Sequence, residues 1–179
     1  MIYDQYLSYL IKEKKMNMKK KIYFSLALVI ILSLTAIPVF AGSPQKASGI
    51  WYYLPLELNF VKEAGGNEFF ELTEAGVWTG TFQGSSIDSG SAVFFRSGAI
   101  HFKGIVDFEG EVEGKTGTLT IKVNGRKADP AADWQGHWVI ISGGGELADL
   151  HGQGKWWGPG YNPADPFTYG VIHYSGKIH

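Results

Sequence analysis

The chain has 179 residues, with 16 Lys and Arg, 17 Asp and Glu, 24 glycines, six tryptophans and no cysteine. Without cysteine there are no disulfides, no thiolate metal sites and no cysteine nucleophile. Six of the basic and two of the acidic residues precede Gly42, so the remainder carries 10 − 15 = −5, which argues against a nucleic-acid binder, since those depend on Lys and Arg to neutralise phosphates.

The first expected element is an export segment. Lys19, Lys20 and Lys21 precede an apolar run from Ile22 to Phe40, which closes on "PVFAGS" with small residues ahead of Gly42. Basic, apolar and small in that order is the layout of a secretory signal. Residues 1–41 are therefore expected to be a signal peptide, helical in its apolar part, and the protein to be exported to the periplasm or the exterior. The competing reading is an uncleaved anchor, because 19 apolar residues just span a bilayer; membrane contact is expected only in that case. No cysteine follows the run to take a lipid. The opening "MIYDQYLSYLIKEKK" is odd for a signal, so Met16 or Met18 is a candidate start.

Residues 42–179 have the length of one domain with a full core. All glycines and tryptophans lie here. The strand candidates, in order, are "IWYYLPLELNF", "EFFELT", "GVWTGTFQG", "SAVFFRSG", "AIHFKGIVDFEGEVEG", "TGTLTIKVNG", "WQGHWVIIS", "GKWWG" and "FTYGVIHYSGKI". In the fifth, Ile100, Phe102, Val106, Phe108 and Val112 share one parity and His101, Lys103, Asp107, Glu109, Glu111 and Glu113 the other. Period two means a strand with one dry and one wet face. In the sixth, Leu119, Ile121 and Val123 repeat the pattern, and "EGKTG" between the two reads as a hairpin connection. No segment makes a good amphipathic helix. About nine short strands with turn signals predict a sandwich or a closed barrel, and Gly80, Gly104 and Gly110 inside strands suit the bends of a small barrel. A barrel also removes exposed strand edges. "GPGYNPADP" reads as a mobile rim.

The run "ISGGGELADLHGQGKWW" invites a phosphate-loop reading, which fails on context. A dinucleotide fingerprint opens a full helix, whereas "ELADL" is one turn long before His151 and Gly152; the Gly-Lys-Ser/Thr end of a P-loop is absent. The expected structure is a strand, a glycine turn, one helical turn and a return into strand, with Leu147 and Leu150 three apart on one side and able to plug a barrel end. A strand ending in Ile141 and Ser142, then Gly143, Gly144, Gly145, Glu146, Leu147, Leu150 and Gly152, resembles the signature of the allene oxide cyclase barrel and dirigent-like superfamily, nearest to a bacterial branch with no assigned function. The resemblance covers about Gly110 to Trp157. It implies an all-β, eight-stranded antiparallel barrel (calycin-like, allene oxide cyclase-like), often assembled from identical copies, with an apolar interior holding one small hydrophobic molecule. It also implies no metal or organic cofactor, because such relatives steer ring closure by holding a reactive chain in shape. The residues they use are not in the signature and cannot be placed on this chain.

An eight-stranded barrel has room for side chains or for one small ligand. Trp78, Phe82, Phe102, Trp138 and Tyr169 are the candidate ligand wall, against the alternative of a filled core; Val106, Phe108, Leu119 and Ile121 share the inward face. Arg96 is a candidate inward partner for an anion or carbonyl, against a solvated strand end. Glu71 is a candidate interior acid with a raised pKa, against an outward position. The five histidines, His101, His137, His151, His173 and His179, form no i, i+2 or i, i+4 pair, so no metal site is expected. Trp156, Trp157 and Tyr161 are candidates for stacking on sugar or a partner surface, against barrel packing. Three functions follow: an exported binder of a small hydrophobic ligand, a cofactor-independent cyclase or isomerase using the same cavity, and a carbohydrate or surface binder.

Overall fold

The computed structural model describes residues 43–161 and 169–179. The expected signal helix lies outside them, as do residues 162–166 of the expected rim loop and the first two residues, 167 and 168, of the last strand candidate; the loop's opening Gly158–Gly160 is strand. The strands are β1 (Gln45–Ala64), β2 (Asn67–Gly80), β3 (Phe82–Phe94), β4 (Ile100–Val112), β5 (Lys115–Lys127), β6 (Trp134–Gly145), β7 (Gly152–Gly160) and β8 (Gly170–Ile178). Each pairs antiparallel with the next, and β8 pairs with β1 from Gln45↔Ile178 to Tyr53↔Gly170, so the eight strands form a closed ring. Among the described residues there is no helix.

"EFFELT" and "GVWTG" are not two strands. They run on as β2, because Gly76 between them is a seat for a ring and not a turn: a Cβ there would meet Trp51 Nε1 at 2.1 Å. The interior repeats this device. Gly125 and Gly136 are cross-strand partners, and the indole of Trp156 lies against both. Gly154 and Gly176 are partners under Trp138, and Gly90 and Gly104 under Phe102. A small ring closes around five tryptophans, Trp51, Trp78, Trp134, Trp138 and Trp156, only if the wall thins where rings lie flat on it.

The inner face is apolar and full. Trp78, Phe82, Phe108, Trp138 and Tyr174 are all 5% exposed or less. Their rings meet at centroid separations of 5.3–6.2 Å, stacked, tilted or edge-on, the spacing of favourable aromatic pairs. Val106, Leu119 and Ile121 complete this core.

The glycine stretch is built differently from expectation. Gly143, Gly144 and Gly145 belong to β6, with a register shift opposite Thr120 and Ile121; only Gly145 has a left-handed φ, of 65°. Glu146–Asp149 form a succession of turns in place of a helical turn. Leu147 N donates to Gly144 O and Leu150 N to Leu147 O. Leu147 is fully buried and Leu150 packs beside the core, so the two leucines do stop one end of the ring. A Cβ on Gly143 would meet Leu147 O at 2.0 Å, which is why the turn needs glycine there. Glu146 Oε2 fastens the turn by accepting from Thr116 N (2.9 Å) and Thr116 Oγ1 (3.0 Å); these hydrogen bonds hold its carboxyl below the usual range.

Candidate functional site

The end of the ring opposite the leucine plug is where polar groups gather. Three adjacent strands supply them in register. Trp51 faces Trp78; Tyr53 faces Gly76, which faces Ser86; Pro55 faces Glu74, which faces Asp88. Two carboxyls therefore stand directly across from each other on the inner side of β2 and β3. Asp88 is 1% exposed and Ser86 buried, while Glu74 is half-buried, so the pair reaches solvent through Glu74.

The alternation of each strand accounts for this. In β2, Phe70, Leu72, Glu74, Gly76 and Trp78 share a parity. In β3, Phe82, Gly84, Ser86 and Asp88 do, which turns Ile87 outward at 53% exposure. Two acids placed on a dry face are expensive to ionise. Burial, and next the charge on Asp88, push Glu74 up to about 8. Burial pushes Asp88 up to about 7, opposed by the Ser86 hydroxyl and assisted by Asp107 on the outer face. Ser86 Oγ already accepts from Trp78 Nε1 at 3.0 Å, which leaves its proton to face Asp88. Neither oxygen of Asp88 has a hydrogen-bond partner in ideal geometry, nor does Trp51 Nε1 nearby. Burial first, and then the charge on Glu74, keep the phenol of Tyr53 protonated; its oxygen accepts from Tyr161 N at 2.9 Å.

The residues singled out from sequence are distributed as follows. Trp78, Phe82 and Trp138 are interior and packed against other rings. Phe102 is half-buried at the Asp88 end, edge-on to Trp134 at 6.3 Å. Tyr169 is not part of an inner wall: it is 61% exposed, on the outside. Glu71 points outward and is exposed, because its parity is opposite to that of Glu74. Arg96 lies past the end of β3 in the turn to β4, exposed, with its backbone N donating to Asn67 Oδ1 at 3.2 Å; it does not face inward. Trp156 and Trp157 are neighbours in a strand and so face opposite ways, Trp156 inward at 6% and Trp157 outward at 43% exposure. Sequence reasoning missed Glu74, Asp88 and Tyr53. The signal was available: counting by two from Trp78 reaches Glu74, and from Phe82 reaches Asp88.

Among the described residues, no cluster of three or more His, Asp or Glu is placed to hold a metal ion. Two carboxyls held by burial well above the usual carboxylate range, beside a phenol and an indole N–H, can donate to, or accept from, the polar head of a bound molecule, and can exchange a proton with it near neutral pH.

A family model described as "Protein of unknown function (DUF3224)" matches residues 57–158. A DUF3224 protein of unknown function from Shewanella oneidensis has a crystal structure that superposes with a TM-score of 0.56 at 16% identity, covering 75% of this chain and 96% of that one. A conserved protein of unknown function from Rhodopseudomonas palustris superposes at 0.50 and 10% identity, covering 76% and 99%. These likenesses show a shared fold. No curated protein matches the chain.

Proposed function

Since the chain belongs to the DUF3224 family, whose description assigns no chemistry, we propose from the site itself that it binds one small, largely apolar molecule with a polar head at the Glu74–Asp88 end of the ring. The observation that carries this is Asp88, fully buried across from Glu74 with neither oxygen partnered in ideal geometry, on the same three strands where Trp51 Nε1 lies over Gly76, buried and unpartnered. Buried polar atoms are nearly always satisfied, and exceptions gather where something else binds. Trp51, Tyr53, Phe102 and Trp134 supply the apolar surround that small-molecule sites have. The ligand sits at this mouth; further in, the rings of Trp78, Phe82 and Trp138 fill the space.

The test is solvent extraction of the purified chain, with mass spectrometry of whatever is released, on the unaltered protein and on Asp88→Asn and Glu74→Gln. A small molecule recovered from the unaltered chain and depleted in both variants supports the reading. Equal recovery from all three, or none from any, sinks it.

A second reading, a cofactor-independent isomerase or cyclase, gains from the position of the Glu74 carboxyl near 8, where a side chain can both give and take a proton at working pH. Incubating the extracted molecule with fresh protein separates the two: an unchanged molecule means binding alone, and a new isomer of the same mass means catalysis. The closed eight-stranded ring and the Gly143–Gly152 turn support kinship with the calycin-like allene oxide cyclase and dirigent-like barrels. Export behind residues 1–41 fits an apolar carrier, and exposed Leu56, Leu58 and Phe60 on the long β1–β2 arm favour assembly of identical copies.

A further inference from the structure

The outer face of the ring holds a second feature, remote in kind from the acid pair. Cross-strand pairing lines up two rows on the outside of β4–β8. One is Lys103, Asn124, His137, Lys155 and Ser175; the next is His101, Arg126, Gln135, Trp157 and His173. The side chains of Lys103, Arg126, Lys155 and Trp157 are exposed and border a groove of about 960 Å³ in which Asp133, at the rim, is the one carboxylate among the described residues. Among the described residues of the two rows there is no acid at all, although the chain from Gly42 onward carries five more acids than bases. The acids of β4 are gathered further along the same strand, at Asp107, Glu109 and Glu111. The positive field is thus local and built by register.

We propose that this groove binds an acidic polysaccharide, with carboxylate or sulfate groups on Lys103, Arg126 and Lys155 and a sugar ring on Trp157. Lys103 and Lys155 are three strand spacings apart, about 14 Å, and Arg126 and Trp157 two spacings, about 10 Å. A single small anion satisfies one of these groups and leaves the others unanswered, so the complement is extended. Its charges must also be sparse. A nucleic acid duplex carries one phosphate charge per roughly 1.7 Å of axis, far denser than the cations here, and most of its charge would face a surface that is acidic outside the groove. A sugar chain with an acid on every one or two rings matches both the spacing and the flat aromatic. Trp157 is held ready for this, stacked on His173 at 5.9 Å and 21°, so its indole loses little freedom when a ring is laid against it. Trp156 also lines the groove, where Gly125 and Gly136 thin the wall, but its ring is buried and not open to stacking.

The experiment measures binding of hyaluronan oligomers, neutral dextran and single-stranded DNA by the chain and by three variants. Hyaluronan is expected to bind and dextran not to. Arg126→Gln with Lys155→Gln, and separately Trp157→Ala, are each expected to weaken hyaluronan binding by at least about tenfold, with Trp157→Phe restoring most of the loss. Lys62→Gln, on the distant β1–β2 arm, is expected to change nothing. Every substituted side chain is exposed, so folding is retained. Dextran binding as tightly as hyaluronan, DNA binding more tightly than hyaluronan, undiminished binding by Trp157→Ala, or no hyaluronan binding at all would each overturn the proposal.

Discussion

The two ends of the ring are made from the same alternating strands, yet they dispose of their polar groups in opposite ways. At the leucine-plugged end, Glu146 is exposed and twice hydrogen-bonded to Thr116, and the buried positions are Leu147, Leu119, Val112 and Ile178. At the other end, Asp88 is buried with no partner in ideal geometry and Glu74 stands across from it. One end has been closed as a structural problem. The other keeps a cost that packing alone does not explain, since hydrophobic residues there would be more stable. The difference separates what maintains the ring from what the ring is for.

The largest expected effect that tests this contrast is the response to pH. Both acids have folded pKa values above their ordinary ones of 4.5 and 3.8, so between about pH 4 and pH 8 the folded chain holds more protons than the unfolded chain. Stability is then fully present below the ordinary carboxylate range and falls as pH rises through 7 and 8. At one pKa unit per 1.36 kcal/mol, the loss reaches an upper limit of about 5 kcal/mol for Glu74 and about 4 kcal/mol for Asp88. Urea unfolding at pH 5 and pH 9 measures it, and Glu74→Gln or Asp88→Asn should flatten the dependence. A flat profile in the unaltered chain would break the comparison, because the mouth would then be no more desolvated than the plug.

Next in size is the plug itself. Leu147→Ala empties a fully buried position and is expected to cost about 3 kcal/mol, without altering the pH dependence or recovery of an extracted ligand. If ligand recovery fell with it while the fold survived, the two ends would not be independent. Smallest is Glu71→Gln, expected to change stability by no more than about 0.5 kcal/mol, since this acid faces solvent, on the opposite parity to Glu74. Comparing E71Q with E74Q isolates burial from charge on one strand.

Period-two alternation is local, so the inward residues of β4 and β5 are legible from parity alone, whereas the closing of eight strands into a ring is not, since alternation leaves sandwich and barrel both open. The plug was legible as a function of Leu147 and Leu150, though the glycines before them proved to be strand. The acid pair was not, for a physical reason. Adjacent residues in a strand point opposite ways, so the apolar neighbours of Glu71 say nothing of its own face, and what matters is the company two residues along. "TEAG" and "IDSG" look like polar turn sequences until the strand is known to run through them. The strand that "SAVFFR" suggests ends at Phe94, two residues before Arg96, and alternation divides Trp156 from Trp157, so the two cannot stack on one surface. The basic rows were hidden for a different reason. Their members are spread from His101 to Ser175 and become neighbours only through pairing, while the summed charge of the chain points the other way.

The glycine pairs that seat Trp156, Trp138 and Phe102 also answer a question that any closed sheet poses, namely what stops one strand from sliding along the next. Backbone hydrogen bonds are indifferent to a shift of two residues, and such a shift keeps inside and outside unchanged. Bulk is not indifferent. Moving β5 along β6 by two would carry Val123 or Lys127 to the place opposite Gly136, and the indole of Trp156 would lose half of its flat bed. The three glycine pairs therefore work as detents, each with one notch, and together they lock the angular setting of the wall on which both the acid pair and the outer rows depend.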